Sequence, residues 1–511
     1  MRLASAVLLI IPLFGQEVSQ SGLELKAVRP MVSQPERAPQ AMIASAHELA
    51  SQAGLAILRK GGNAVDAAVA TGFALAVVHP EAGNLGGGGY MVIHMSDGRT
   101  KAIDYKETAP AIAKPGMFAK ESESRVGYKA SAVPGTVAGL AMAHRLYGVL
   151  RWKDVLEPAR RLAKNGFPAS QRLDLILALQ VPVMKQFPDS AKVFLHGGAL
   201  PLKQGEVVKQ PDLAATIGRL QKHGWREFYE GETARRIAAD MDANHGTITF
   251  DDLKNYKALE KEPLVGTYRG YRVLTIPPSS SGGVAVLQIL NILENFDLPV
   301  GGEGSARSRH LLVESMRCAF RDRSEFAADP AFFEIPVARL LSKEYAKSVA
   351  ATIRLDRASP AGSAIPAAAH ESADTTHFSV VDKAGTIVAN TYTLNGFFGS
   401  QVIANGTGVL LNDIMSGFDD RKGSKNETAP GKRPVSSMTP TILLRPDGRA
   451  GSSWFSGFGS DSTPWCKLLS ILWTTRCRCA MRSSSHGFTT SSSPTVSTLS
   501  RRLWCRMSLT N

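Results

Sequence analysis

The sequence predicts a mixed α/β protein, and three features support that fold class. The chain has 511 residues, of which 44% are hydrophobic, so it can bury a large core. Residues 45–79 have the pattern of two consecutive helices, whereas residues 376–381 and 386–394 are rich in β-forming side chains and flank a short loop. The length suggests roughly three domains of about 150 residues each, or one large α/β unit.

The first helix is expected in "SAHELASQAGLAILRKGG". Ser45 is placed to cap its start, and Glu48 follows three residues later, as in a capping box. Gly61 and Gly62 mark its end.

The second helix is expected directly afterwards. Asn63 is its predicted N-cap, Asp66 stands at the third helical position, and the helix must stop before Pro80. Because its residues are apolar nearly all round, we expect it to lie deep in the core.

The glycines of "GNLGGGGYMVIHM" come next, at residues 83–95. A phosphate-binding loop would lead into a helix and carry a Lys and a Ser or Thr, but here a strand follows. The stretch therefore predicts close backbone packing. Residues 151–350 are dominated by amphipathic helices, and the Pro, Ala and Ser of residues 358–374 predict a flexible linker.

The hairpin after this linker has a predicted register. Lys383, Ala384 and Gly385 form a three-residue loop, in which Gly385 takes the left-handed position. Counting outward from that loop places Thr375 directly across from Thr393, with both hydroxyls on one face of the sheet.

Two interpretations of this threonine pair remain open. It is either an ordinary cross-strand pair or part of a catalytic site. If the bond between Asp374 and Thr375 were cut, Thr375 would start a new chain, and its free α-amine, with a reference pKa of about 8, could act as the base for its own hydroxyl.

The charge distribution argues against nucleic-acid binding. The formal net charge is +14, but seven of the Lys and Arg residues fall in residues 462–511, a stretch without a single Asp or Glu. The rest of the charge is dispersed, and no nucleic-acid-binding motif is present.

The N-terminus has the pattern of an export signal. Residues 1–15, "MRLASAVLLIIPLFG", combine one Arg with an apolar run too short to span a bilayer, so we predict a signal peptide over residues 1–22. A buried terminal helix is the alternative. The signal implies a periplasmic or secreted protein without membrane insertion, and the single cysteine outside the tail, Cys318, implies no disulfide framework.

Several motifs resemble one known family. "NAVDAAVATGFALAVVHPEAGNLGGGGYMVI", "DTTHFSVVD", "TYTLN", "GVLLND" and "KRPVSSMTPT" occur in the same order as in the γ-glutamyltransferase (γ-glutamyltranspeptidase) family of N-terminal nucleophile hydrolases. The resemblance extends from about residue 41 to about residue 445 and rests on five separate motifs.

The resemblance implies a four-layer αββα sandwich that is made as one precursor. Self-cleavage before Thr375 would give a large subunit (41–374) and a small subunit (375–460). The implied reaction is hydrolysis or transfer of γ-glutamyl groups, from glutathione or similar donors to water, amino acids or peptides. The family requires no cofactor and no metal.

The resemblance also assigns roles to particular residues. Thr375 would be the nucleophile and Thr393 the residue that supports it. Asn395 would hold the α-amino group of the substrate, and Ser436 and Ser437 would contact its α-carboxylate.

Lys106 in "DYKETAP" stands where the family usually has an arginine for that carboxylate. Lysine keeps the positive charge but lacks the two parallel N–H donors with which a guanidinium binds a carboxylate, so the resemblance predicts weaker carboxylate recognition. The alternative is that Lys106 is an ordinary surface residue.

A second departure concerns the substrate ammonium. Ile414 and Gly417 replace the polar residues that the family commonly carries there. An acylase acting on glutaryl-like side chains is therefore an alternative function. Asp413, Asp419 and Asp420 are the carboxylates that could substitute, although for the last two a solvated surface position is the first expectation.

The third departure is the tail, residues 461–511. Four of the five cysteines lie there, and the Gly-Gly turn that forms the oxyanion hole in the family is missing. Our hypothesis is that translation left the family's reading frame near residues 456–461, which predicts a tail that does not pack. "RCRC" with Cys466 does not make a metal site, because no second pair or His cluster accompanies it.

Losing one oxyanion donor costs roughly a hundredfold to a thousandfold in rate, so the missing turn predicts impaired activity. A non-catalytic, unprocessed protein is thus a further alternative.

Overall fold

The computed structural model describes residue 38 and residues 40–298, 305–359, 374–421, 423–446 and 450–453. The predicted signal peptide, the tail 461–511 and nearly all of the linker 358–374 lie outside the described residues. The described residues belong to one compact unit.

The strands within the described ranges are mostly short, and the longest two form the predicted hairpin. They are β1 (Met42–Ala44), β2 (Gly88–His94), β3 (Thr100–Tyr105), β4 (Phe167–Pro168), β5 (Leu195–His196), β6 (Leu200–Pro201), β7 (Val207–Val208), β8 (Leu259–Lys261), β9 (Leu264–Tyr268), β10 (Tyr271–Thr275), β11 (Asp374–Val381), β12 (Ile387–Asn395), β13 (Ile403–Ala404), β14 (Val409–Leu410), β15 (Thr441–Leu444) and β16 (Ala450–Ser453).

The helices occupy mainly the first two thirds of the chain. They are α1 (Glu48–Arg59), α2 (Ala64–Val78), α3 (Thr136–Tyr147), α4 (Trp152–Asn165), α5 (Gln171–Met184), α6 (Pro188–Phe194), α7 (Pro211–His223), α8 (Glu227–Glu230), α9 (Glu232–Ala243), α10 (Phe250–Asn255), α11 (Gly282–Leu293), α12 (Ala306–Phe326), α13 (Val337–Leu340) and α14 (Lys343–Ala350). Short 3₁₀ helices lie at Glu121–Ser124, Tyr128–Ala130 and Ile414–Gly417.

Two antiparallel sheets form the centre of the molecule. The first has six strands in the order β1-β11-β12-β2-β3-β8, and the second has four in the order β16-β15-β10-β9. The first sheet therefore joins the hairpin β11–β12 to the strand that follows the glycine-rich stretch.

Three apolar cores separate four layers. Phe73 of α2 and Phe378 of β11 belong to the core between the helices and the first sheet. Ile387 and Ile442 belong to the core between the two sheets, and Leu287 of α11 belongs to the core between the second sheet and its helices. The order helix, sheet, sheet, helix confirms the predicted αββα sandwich.

The ends of α2 are as predicted, whereas the start of α1 is not. Asn63 caps α2 in a complete capping box with Asp66, and every residue of the helix is buried. The N-cap of α1 is His47, whose side chain accepts a hydrogen bond from the backbone of Leu49, so the predicted Ser45 cap is wrong. The Ser45 hydroxyl instead lies 2.8 Å from that of Ser51.

The glycine-rich stretch is packed against other backbone segments. A Cβ at Gly86 would lie 2.1 Å from the carbonyl oxygen of Leu410, and one at Gly87 would lie 2.1 Å from that of Thr393. No side chain fits at these positions, which confirms the prediction of close backbone packing.

Candidate active site

The hairpin β11–β12 forms with the loop that its sequence predicts. The backbone amide of Asp382 donates to the carbonyl of Thr386 over 3.1 Å, and Gly385 has φ +91. The strands then pair from Val381 opposite Ile387 to Thr376 opposite Tyr392, which is the predicted register.

The register shifts at the end of the hairpin, next to Thr375. Asp374 pairs with Asn395, so Thr375 alone lies against two residues, Thr393 and Leu394. The prediction that Thr375 directly faces Thr393 is therefore wrong, because a β-bulge intervenes. The carbonyl of Leu394 accepts a hydrogen bond from the amide of Asp413 over 3.0 Å, a long-range contact that accompanies the bulge.

The alternation along the strands puts the polar side chains between the two sheets. Phe378 and Tyr392 pack into the core on the helix side. Successive side chains of a strand point to opposite faces, so Thr391 and Thr393 face the second sheet. Thr393 is buried, and its Oγ1 accepts a hydrogen bond from the backbone amide of Asn395 over 2.8 Å. Thr375 is half-buried.

Lys106 lies at the same end of the sheet. Thr393 pairs with Gly88 on β2, and the next residue of β2, Gly89, pairs with Tyr105 on β3. Lys106 directly follows Tyr105, so it lies at the end of β3 that is nearest to Thr393. Its side chain is only 1% exposed, and its Nζ lies 2.8 Å from Oε2 of Glu107. Lys106 is thus not a surface residue.

Ser436 and Ser437 lie on the second-sheet side of the sandwich. The carbonyl of Ser436 accepts hydrogen bonds from the backbone amide and the hydroxyl of Ser281, both at 2.8 Å. The hydroxyl of Ser436 accepts from the amide of Met438 over 3.2 Å. The segment is fixed by the serine-rich turn that precedes α11.

Asp104 lies between Lys106 and the serine-rich turn before α11, and it was not predicted from the sequence as a site residue. Its carboxylate accepts hydrogen bonds from the amide of Lys106 at 3.1 Å, the hydroxyl of Ser279 at 3.2 Å and Nζ of Lys261 at 2.6 Å. Burial opposes its ionisation, but Lys261 and Arg433 outweigh burial and hold the pKa of Asp104 below its usual value. The signal was available, because Asp104 and Glu107 flank Lys106 in "DYKETAP".

The positions expected to bind the substrate ammonium carry no polar side chain. Ile414 is 4% exposed and belongs to an apolar cluster with Ala109, Ala132 and Met415. Gly417 has no side chain to offer. Asp413, by contrast, is buried next to Asn395, and burial raises the pKa of its carboxyl to about 7.

The family model described as Gamma-glutamyltranspeptidase matches residues 50–463 of this chain. Glutathione hydrolase proenzyme of Escherichia coli (strain K12) is 44% identical over 437 residues, which cover 82% of this chain and 75% of that protein. Acylase ACY 1 proenzyme of Pseudomonas sp. (strain SE83) is 40% identical over 423 residues, covering 80% of this chain and 75% of that protein.

Solved structures of an acylase and of a γ-glutamyltranspeptidase also resemble the chain. The cephalosporin acylase from Bacillus halodurans has a TM-score of 0.72 at 28% identity and covers 83% of this chain and 80% of its own. The γ-glutamyltranspeptidase of Helicobacter pylori has a TM-score of 0.61 at 41% identity, covering 64% of this chain and 95% of its own.

Proposed function

The chain belongs to the gamma-glutamyltranspeptidase family, and from that membership we propose that it is a proenzyme whose mature form cleaves or transfers γ-glutamyl groups with Thr375 as nucleophile. The observation that carries the proposal is the position of Thr375 in the bulge beside Thr393, within a family match that spans residues 50–463.

The proposed reaction begins with hydrolysis of the peptide bond between Asp374 and Thr375 by water, which leaves a carboxylate on Asp374 and frees the α-amine of Thr375. That amine takes the proton of the Thr375 hydroxyl while Oγ1 attacks the γ-glutamyl amide carbon. The amine then returns the proton to the departing nitrogen, leaving an ester between the γ-glutamyl group and Thr375. Water, an amino acid or a peptide attacks this ester and regenerates the enzyme.

Thr393 supports the nucleophile in this proposal. Its Oγ1 accepts a hydrogen bond from the Asn395 amide, and in the proposed mechanism its hydroxyl donates toward Oγ1 of Thr375. A second hydroxyl held in this way fixes the orientation of Oγ1 of Thr375 before the attack.

The substrate's α-carboxylate would meet Lys106, Ser436 and Ser437. Because Lys106 is held by Glu107 over 2.8 Å, its charge is partly neutralised in the absence of substrate. This agrees with the weaker carboxylate recognition that the Arg-to-Lys change predicts.

We further propose that residues 41–374 and 375–460 form the two subunits after cleavage, and that the signal over residues 1–22 exports the protein to the periplasm or the medium. No helix among the described residues has both the length and the apolar character needed to cross a membrane.

A glutaryl or cephalosporin-type acylase is the second candidate function. The apolar environment of Ile414 favours it, because that residue cannot hold an ammonium group. The acylase relatives and the acylase structure are consistent with this alternative.

The test compares turnover of γ-glutamyl and glutaryl p-nitroanilides by the full-length chain. Thr375→Val removes the hydroxyl without changing side-chain volume, and we expect it to lower turnover by at least about a thousandfold. Thr376→Val is the matched control, because the Thr376 hydroxyl is buried without a hydrogen-bond partner in the described residues and faces away from the site.

A wild-type preference for the glutaryl compound would favour the acylase. Wild-type protein that turns over neither compound would favour the non-catalytic alternative. Equal turnover by wild type and Thr375→Val would contradict both catalytic proposals.

A further inference from the structure

The serine-rich turn before α11, residues 279–281, lies directly against the segment that contains Ser436 and Ser437. The carbonyl of Ser436 accepts two hydrogen bonds from Ser281, one from its amide and one from its hydroxyl, both over 2.8 Å. A Cβ at Gly282 would lie 2.5 Å from the carbonyl oxygen of Ser437, so no side chain fits between the two segments. The turn therefore sets the position of the backbone of Ser436 and Ser437.

Ser281 is the N-cap residue of α11, but its hydroxyl does not cap the helix. A serine at this position usually accepts a hydrogen bond from a backbone amide of the first helical turn. In this chain the Ser281 hydroxyl donates to the carbonyl of Ser436 instead. A hydroxyl has a single proton, so any further hydrogen bond at the Ser281 oxygen is one that it accepts.

Arg323 donates that hydrogen bond. It lies in the last turn of α12 (Ala306–Phe326), and its Nε is 2.8 Å from Oγ of Ser281. A charged donor strengthens the hydrogen bond that the hydroxyl itself donates, because consecutive hydrogen bonds polarise one another. Two consecutive hydrogen bonds thus connect the guanidinium of Arg323 to the carbonyl of Ser436.

A contact from the same region fixes the other end of the segment. Asp329, three residues after the end of α12, is 2% exposed, and its Oδ2 accepts a hydrogen bond from the amide of Arg433 over 2.8 Å. Its Oδ1 accepts one from the amide of Ala331 over 3.0 Å, which holds the carboxylate in place. Residues 433–436 are therefore attached at both ends to side chains at, or just after, the end of α12.

We propose that Arg323 is a positioning residue of the proposed active site. Through the hydroxyl of Ser281 it holds the backbone of Ser436 where this residue and Ser437 contact the carboxylate of the substrate. The role rests on the proposed function, because it concerns the substrate of the same site. It applies to both candidate functions, since γ-glutamyl and glutaryl groups alike carry a carboxylate at the end away from the scissile amide.

This role has a consequence that general stabilisation of the fold would not have. A ligand with the carboxylate uses the segment that Arg323 positions, whereas the same ligand without the carboxylate does not. Loss of the Arg323 hydrogen bond should therefore weaken binding of the first ligand and leave binding of the second unchanged.

L-Glutamate and 4-aminobutyrate are a suitable pair of probes, because they differ only in the α-carboxylate. The experiment measures their binding to the purified full-length chain by calorimetry at neutral pH. We expect the wild type to bind L-glutamate about tenfold or more tightly than 4-aminobutyrate, the size of a hydrogen bond to a charged group. Arg323→Met, which keeps an unbranched side chain but removes the donor, should lose most of this preference and bind 4-aminobutyrate as the wild type does.

A double-mutant cycle tests whether Arg323 acts through Ser281. Ser281→Ala removes the hydroxyl between Arg323 and Ser436, and it should cause the same selective loss as Arg323→Met. Adding Arg323→Met to Ser281→Ala should have no further effect on the preference, because residues that act through one contact are not additive.

Arg321→Met is the matched control and should keep the wild-type preference. Arg321 belongs to the same helix, but its side chain is 51% exposed and lies 3.5 Å from Asp322. The proposed role is overturned if Arg323→Met keeps the wild-type preference, if it weakens both ligands equally, or if its effect adds to that of Ser281→Ala. It is also overturned if the wild type binds L-glutamate no more tightly than 4-aminobutyrate.

A thermal unfolding curve shows whether Arg323→Met is folded. If it is not, the wild type and Ser281→Ala still test the role, because a Ser281→Ala protein with an unchanged preference contradicts it. Binding requires no turnover, so failure of the proposed chemistry, seen as absent Thr375-dependent hydrolysis, is a separate result.

Discussion

At the scale of single residues, His377 shows how the site's polar side chains are kept inside the sandwich. It lies on β11, is 2% exposed, and its ring nitrogens are 2.7 Å from the hydroxyl of Thr391 and 3.0 Å from that of Ser379. Burial lowers the pKa of His377 to about 3. The ring is therefore neutral in the folded protein at any pH at which an enzyme of this kind is assayed.

This pKa predicts how stability depends on pH. The unfolded chain protonates the residue below about pH 6.5, whereas the folded chain does not until about pH 3, so stability falls as the pH is lowered through this window. Protonation of His377 in the unfolded chain should lower the free energy of unfolding by about 2 kcal/mol between pH 6.5 and pH 5. His377→Asn should lose less stability over that interval than the wild type.

Urea unfolding at pH 6.5 and pH 5 measures this difference, with Thr375→Val in every sample so that the chain remains uncut. His196→Asn serves as the control, because His196 is exposed and pairs with Glu206 at the surface. Identical losses in His377→Asn and in its parent would show that His377 is not neutral in the folded state.

One part of the hairpin was predicted from the sequence, and the other part was not. The loop at Gly385 and the pairing up to Thr376 follow from local turn chemistry and were predicted. The bulge at Thr375 was not, because it coincides with contacts made from afar, by Asp413 on the Leu394 carbonyl and by Gly87 against Thr393. Local patterns contain no information on such contacts.

At the scale of elements, the packing of α1 on α2 depends on one glycine. A Cβ at Gly54 would lie 2.3 Å from the hydroxyl oxygen of Thr71 and 2.9 Å from the carbonyl oxygen of Ala67. The two helices can approach this closely only because Gly54 has no side chain.

Gly54→Ala should therefore destabilise the protein by about 1–3 kcal/mol, the usual cost of overpacking, despite the better helix propensity of alanine. Gly218→Ala in α7 is the same change where the nearest atom would be 3.9 Å away, and it should stabilise by about 0.5–1 kcal/mol. Thermal unfolding of both variants measures the contrast. A Gly54→Ala protein as stable as Gly218→Ala would show that the helices are not in close contact.

Some helices and strands were predicted from the sequence more closely than others. The fully apolar α2, with Asn63 and Asp66, was predicted closely because its cap and its pattern agree. The three strands β8, β9 and β10 were not foreseen among the helices of residues 151–350, since they are only three to five residues long. Arg269 and Gly270, both with positive φ, make the tight turn between β9 and β10, a signal that the sequence did offer as "RG" between two β-rich runs.

At the scale of the whole molecule, composition and periodicity predicted a mixed α/β chain but not the order of its layers. The αββα order followed from the family resemblance, and the three separate cores of the structure confirm it. The same holds for the site. Counting from the hairpin loop placed Thr375 near Thr393, although the bulge shifts their register. Asp413 was named from the sequence, but its burial beside Asn395 and the contacts of Asp104 follow only from distant segments that the fold brings together.

Every step of the proposed catalysis depends on the backbone break before Thr375. Mass spectrometry and N-terminal sequencing of the purified, substrate-cleaving protein test it directly. We expect two fragments, of which the smaller begins with Thr375, and a single uncut chain for Thr375→Val. A wild-type preparation that turns over substrate while its chain is intact at this bond, or whose smaller fragment begins elsewhere, would contradict the account.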